Sequence, residues 1–265
     1  MMMSLPRIVT LAPSGLSDPG VVVAGCRSGA LGILDFGFRF DAEAAREAAV
    51  RAARYVGGRR FGLRLPASEL GDAILDRLPG ELDVFVAVEG GFGRDAWAAA
   101  RATLRRAGGG AVAMAEVTSL AAAEAAAAAG FDALILAGHE AGGRGSDSSS
   151  FILLQGVAAR VAVPVWVRGG IGLRSAAACL AAGAAGVVLD GALLLARESA
   201  LDPAVRARIG RWDGGETQVI GRAAGVAEAL RVHAAPGSAV LARLGSAAEQ
   251  GGDAWRRAVR DEVGW

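Results

Sequence analysis

The feature that most constrains this chain is an alternation. Short, almost wholly apolar runs at 8–13, 30–35, 61–65, 83–88, 111–117, 133–137, 163–168 and 186–189 are separated by helix-like stretches such as 41–56, 94–107 and 119–129. A strand that is apolar on both faces must be covered on both faces, which is the pattern of parallel strands joined by crossover helices. Asp41 and Ser119 stand where N-caps belong, and Gly130 stands where a helix ends. Ala-rich 121–129 reads as a close-packing helix, and Gly108-Gly109-Gly110 as a helix-to-strand turn. Eight such units in about 200 residues predict the α/β class and, within it, a (β/α)8 TIM barrel. A doubly wound sheet would instead carry G-x-G-x-x-G after its first strand, where this chain has Ala12-Pro13-Ser14-Gly15-Leu16.

The barrel is expected over residues 6–198. Residues 199–265 break the pattern and read as a small C-terminal appendage. It contains a turn-rich stretch around Trp212 and Asp213, a short strand at 218–221 and an Arg-rich amphipathic helix at 247–263. Ending on Gly264-Trp265 without a polar tail, the chain reads as a domain of a longer polypeptide.

Composition excludes several chemistries. All 28 residues in the Lys plus Arg total are Arg, so neither a Schiff-base lysine nor a P-loop lysine exists. A formal net charge of +1 gives no bulk field for nucleic acid or an anionic membrane. No apolar run approaches the roughly 18 residues of a membrane span. Residues 1–7 lack a secretory pattern, so the expected location is cytoplasmic. Cys26 and Cys179 read as separate reduced thiols, and with only His139 and His233 no metal site is expected.

Two loops carry the candidate chemistry. The first, Gly138-His139-Glu140-Ala141-Gly142-Gly143-Arg144-Gly145, follows the sixth run and precedes Ser146-Asp147-Ser148-Ser149-Ser150. The second, Arg168-Gly169-Gly170-Ile171-Gly172, closes the seventh, and Asp190-Gly191 follows the eighth. Loops at the C-terminal ends of barrel strands carry the active site, and phosphate commonly binds after strands seven and eight. Glycine lets a phosphate approach backbone N–H groups there. Gly169, Gly170 and Ile171 with Asp190 and Gly191 are therefore candidate phosphate contacts, and ordinary tight turns are the plainer reading.

Ala12-Pro13, Ser28-Gly29-Ala30-Leu31-Gly32, Gly138 through Gly143 and Pro164 through Ile171, in this order, resemble the nitronate monooxygenase family and the related flavin-dependent enoyl-acyl-carrier-protein reductases. The resemblance covers residues 6–198. Glu140 to Arg144, then Ser148 to Gln155 and the Asp213-Gly214-Gly215-Glu216-Thr217 stretch, are similar to barrel domains embedded in polyketide and polyunsaturated fatty acid synthases. The resemblance implies FMN as cofactor, NAD(P)H as a candidate electron donor, and a small carbon acid or acyl-carrier-protein-bound thioester as substrate. It also implies neighbouring synthase domains or a homodimer as partners. Cofactor contacts would come from Ala12, Pro13, Arg64, Gly142, Gly143, Gly169, Gly170, Ile171, Asp190 and Gly191.

The chain departs from that pattern at three places. Arg144 stands where the family has a His, Arg64 where it has an Asn facing the flavin, and Asp190-Gly191 where it has Gly-Thr. A guanidinium cannot act as a base at neutral pH, so Arg144 is expected to point into the barrel mouth and clamp an anionic or thioester oxygen. His139 is the candidate replacement base. Glu140 completes the candidate catalytic set, with loop-holding through backbone N–H bonds as its other role. His233 reads as a surface or packing residue. Two functions stay open: a flavin-dependent oxidoreductase, and a catalytically degenerate barrel serving as a binding or scaffolding domain.

Overall fold

A computed structural model describes residues 5–37, 40–69, 78–79, 82–88, 94–106, 111–213, 215–221, 229–233 and 237–263. The expected turn at 108–110 lies outside them. Eight parallel strands close on themselves: β1 (Ile8–Leu11), β2 (Leu31–Asp35), β3 (Phe61–Pro66), β4 (Leu82–Val88), β5 (Val112–Val117), β6 (Ala133–Ala137), β8 (Val165–Arg168) and β9 (Gly186–Leu189). Pairing of Thr10 with Leu189 completes the ring. The (β/α)8 barrel is thus the fold, and the apolar runs are its strands.

Helices α1 (Gly20–Arg27), α2 (Ala42–Tyr55), α3 (Arg94–Arg106), α4 (Leu120–Ala128), α5 (Ser150–Ala158) and α6 (Leu173–Ala181) follow their strands. Asp41 accepts from the Ala44 amide and Ser119 from the Ala122 amide, so both caps form. Alternate strand residues pack outward against the helices, as Leu63, Leu65, Leu134 and Leu136 do. Their neighbours fill the barrel, among them Ile33, Val84, Val86, Met114, Ile135 and Trp166. At the bottom, Trp166 Nε1 donates to the Pro6 carbonyl (3.1 Å). Gly186 makes room for that indole, since a Cβ there would lie 2.2 Å from Nε1.

The C-terminal region is tied to the barrel by strands. The loop after β6 contains β7 (Gly143–Arg144), which leaves the barrel and joins β10 (Thr217–Ile220) and β11 (Leu230–His233) in an antiparallel sheet. Arg144 pairs with Leu230 and Gly143 with Arg231. The expected strand at 218–221 is β10. The expected single helix at 247–263 is instead two, α8 (Ala239–Gln250) and α9 (Gly252–Val263), after the short α7 (Pro203–Ile209). Gly251 divides them at φ +70°, a left-handed conformation that ends a helix at little cost only for glycine. Ile220 and Leu230 pack with Leu244, Ala248, Trp255 and Val259 in a small core of their own.

Candidate active site at the barrel mouth

Strand periodicity builds the site. Two residues beyond the apolar filling, the inward positions become charged: Asp35 after Ile33, Glu116 after Met114, Arg168 after Trp166 and Asp190 after Val188. Arg64 follows Gly62 on β3 in the same sense. These groups form one buried ionic chain. Arg64 holds Glu116 with two parallel bonds, Nε to Oε2 (2.9 Å) and Nη2 to Oε1 (2.7 Å), and reaches Asp35 through Nη1 (2.6 Å). Arg168 continues it, donating to Glu116 (3.0 Å), Asp190 (2.9 Å) and the Gly142 carbonyl (2.9 Å).

Glu116 is 3% exposed, so burial pushes its carboxyl up. The guanidiniums of Arg64 and Arg168 outweigh that and hold it at about 2, with Arg144 adding its field. Arg64 is buried too, and burial favours its neutral form, yet Asp35 and Glu116 raise it further into the always-charged range. Buried charges persist only when paired and hydrogen-bonded, and here each partner satisfies the other.

Above this layer lies a cavity of about 580 Å³, within the range of ordinary cofactor sites. Ala12, Pro13, Asp35, Glu140, Gly142, Gly143, Arg168, Gly170, Ile171, Asp190 and Gly191 line it from the barrel side. Leu230, Arg231, Val232 and His233 of β11 line it from the C-terminal side. The two candidate loops therefore share one rim, and the Gly138 amide donates to the Arg168 carbonyl between them (3.0 Å).

The remaining sequence candidates take definite places. Arg64 lies in the ionic chain and is not part of the cavity lining. Arg144 is 7% exposed, also outside the lining, and close enough to Glu116 to act on it electrostatically. His139 is tied to β11: Arg231 Nε donates to its carbonyl (2.9 Å), and Nη2 lies 2.7 Å from its Nε2. The guanidinium can only donate, so Nε2 takes the acceptor role in this contact. Glu140 accepts from the amide (2.9 Å) and hydroxyl (2.8 Å) of Ser150. Burial pushes the Glu140 carboxyl up, but these donors prevail and hold it below the usual range. That is the loop-holding role. Asp190 turns to Arg168 with one oxygen and accepts from the Gly191 amide with the other (2.6 Å). This engages one of the amides expected to meet a phosphate.

The family model for nitronate monooxygenase matches residues 91–234. The chain belongs to the nitronate monooxygenase family. Solved structures agree on the fold. FabK from Thermotoga maritima is 23% identical, with a TM-score of 0.79 over 98% of this chain and 81% of that one. Nitroalkane oxidase from Streptomyces ansochromogenes is 26% identical, with a TM-score of 0.67 over 87% and 77%. The enoyl reductase domain of MlnA from Bacillus amyloliquefaciens is 15% identical, with a TM-score of 0.68 over 91% and 66%. No curated protein sequence matches.

Five residues of this nitronate monooxygenase relative's mouth were not among the site residues expected from the sequence: Asp35, Glu116, Arg168, Arg231 and His233, the last of which was expected at the surface or in packing. A signal existed for three of them. Asp35, Glu116 and Arg168 are charges inside runs that are otherwise apolar on both faces, and such charges require partners. Arg231 and His233 carried no comparable signal, because β11 is only four residues long and pairs far away in sequence.

A flavin fits this mouth on two observations. Gly142 and Gly191 present bare Cα positions, where an added Cβ would meet no atom within 4 Å. The amides of Gly170 and Ile171 stand at the strand-to-helix turn with no hydrogen-bond partner among the described residues. Gly170 reaches this turn at φ +64°.

Proposed function

We propose that this chain is an FMN-dependent oxidoreductase acting on a small carbon acid or an acyl thioester, with the flavin in the rim cavity. The observation that carries the proposal is the cavity itself: it lies at the C-terminal rim of a family barrel, beside the free amides of Gly170 and Ile171. Those amides would hold the phosphate, as backbone N–H groups at a helix start hold anions. Ala12 and Pro13 would support the ring system from the β1 side. Bound FMN would supply two-electron transfer. Arg168 fixes the walls by joining the β6 loop, through Gly142, to the β9 loop, through Asp190. Arg144 stays charged beneath the mouth and would stabilise an anionic substrate oxygen by its field. A nicotinamide donor and a carrier-bound thioester within a polyketide-type synthase are the finer parts of the same proposal.

The alternative is a degenerate barrel with a binding or scaffolding role. One observation favours it: Asp190 engages the Gly191 amide and lines the cavity with Asp35 and Glu140, an acidic rim for a phosphate. Purified protein decides between them. We expect a yellow chain that releases FMN on denaturation, or rebinds added FMN more tightly than riboflavin. A colourless chain that binds neither would overturn the oxidoreductase and leave the scaffold.

A further inference from the structure

Among the described residues, the titratable side chains that line the cavity besides Arg168 and Arg231 are Asp35, Glu140, Asp190 and His233. Each carboxylate is committed to donors. Asp35 accepts from Arg64 and the Gly37 amide, Glu140 from Ser150, and Asp190 from Arg168 and the Gly191 amide. Each of these carboxylates already accepts at least two hydrogen bonds from the protein. Arg168 and Arg231 stay protonated. His233 is left, an imidazole, the side chain suited to exchanging protons near neutrality.

Its setting suits that task. His233 ends β11, where it pairs with Thr217 of β10. Its ring stacks on Trp212, with centroids 4.5 Å apart and planes 7° from parallel. Stacking fixes the ring without using either nitrogen. The nearby rim carries carboxylates on Asp35, Glu140 and Asp190 against guanidiniums on Arg168 and Arg231. By contrast His139, the other imidazole, is outside the lining and accepts from Arg231.

We propose that His233 is the acid–base residue of this cavity, supplied by the C-terminal sheet in place of a base on the barrel. It takes the α-proton of a bound carbon acid. The C–H bond breaks, an N–H bond forms on the imidazole, and the electron pair stays on the substrate as its delocalised anion. In the reverse sense it protonates such an anion. This rests on the oxidoreductase reading above.

The test uses the full chain loaded with FMN, without oxygen, and compares flavin bleaching by nitroethane with bleaching by ethyl nitronate. Nitroethane must lose a proton first, whereas the nitronate has already lost it. We expect the native chain to respond to both. His233→Gln should keep the nitronate rate and lose about a hundredfold or more of the nitroethane rate, the usual share of a general base. The nitroethane rate should show a pH dependence that the variant lacks. A second readout needs no turnover: the His233 ring resonance, one of two and assigned by its loss in the variant, should shift when FMN is added. An undiminished nitroethane rate in His233→Gln overturns the assignment, as does equal loss of both rates, an unmoved resonance, or a native chain that responds to nitronate alone. A chain that binds no FMN overturns the oxidoreductase reading itself, and flavin retention separates that failure from the others.

Discussion

Glu116 shows how one residue can organise a barrel interior. It sits in a strand that is otherwise apolar, and it is tolerable there only because Arg64 and Arg168 approach from both sides. Its carboxyl is held at about 2 in the folded chain, below the 4.5 of the free side chain. The unfolded chain therefore binds a proton before the folded chain does as pH falls. The resulting stabilisation is complete above about pH 4.5 and is lost as pH drops toward about 2. We expect Glu116→Gln to flatten this part of the acid limb in chemical denaturation measured across that window. At neutral pH the variant should be less stable by about 3–5 kcal/mol, because two buried guanidiniums lose the carboxylate they share, and Asp35 and Asp190 each remain to only one of them. An unchanged acid limb would place the acid sensitivity elsewhere.

At the scale of elements, the rim depends on close approach between the β6 and β8 loops. Gly169 has φ +106°, and a Cβ there would lie 2.6 Å from the Ala141 amide nitrogen. Gly172, three residues on, has φ −128°, and its Cβ would meet no atom within 4 Å. Gly169→Ala should cost on the order of 1–3 kcal/mol and lower the melting temperature by about 3–10 °C, while Gly172→Ala should leave it nearly unchanged. Equal melting of the two variants would show that the loops do not need this contact. These elements also show what a sequence can reveal. The barrel strands and the Asp41 and Ser119 caps were legible because period and capping are local properties. Gly169-Gly170 was legible as a turn for the same reason. The β7–β11 pairing was not, because it joins Gly143 to Arg231 across most of the C-terminal half. The break at Gly251 was hidden within a continuous amphipathic pattern on both sides.

Across the whole molecule, the mouth is a joint product of the barrel and the C-terminal sheet, and its chemistry follows from that division. The barrel places an inert ionic layer beneath the cavity, and β11 brings Arg231 and His233 over it. Arg144 illustrates why the sequence could suggest a site without arranging it. Its family position and its charge were readable, but its burial beside Glu116 depends on strands far from it in sequence. The same division gives a test of the cavity that does not disturb the fold. Gly142 lies on the rim outside the left-handed region, its Cβ would meet no atom within 4 Å, and only its carbonyl is used, by Arg168. Gly142→Val therefore adds bulk to the cavity without a clash in the protein. Its stability should change by no more than roughly 0.5 kcal/mol, a melting shift of about 2 °C or less. If the cavity holds FMN, the folded variant should lose retained flavin and fail to rebind it in a titration followed by flavin fluorescence. Native-like binding by a stable Gly142→Val chain would mean that the flavin, if bound at all, lies elsewhere, and that the glycines of the β6 loop serve the turn alone.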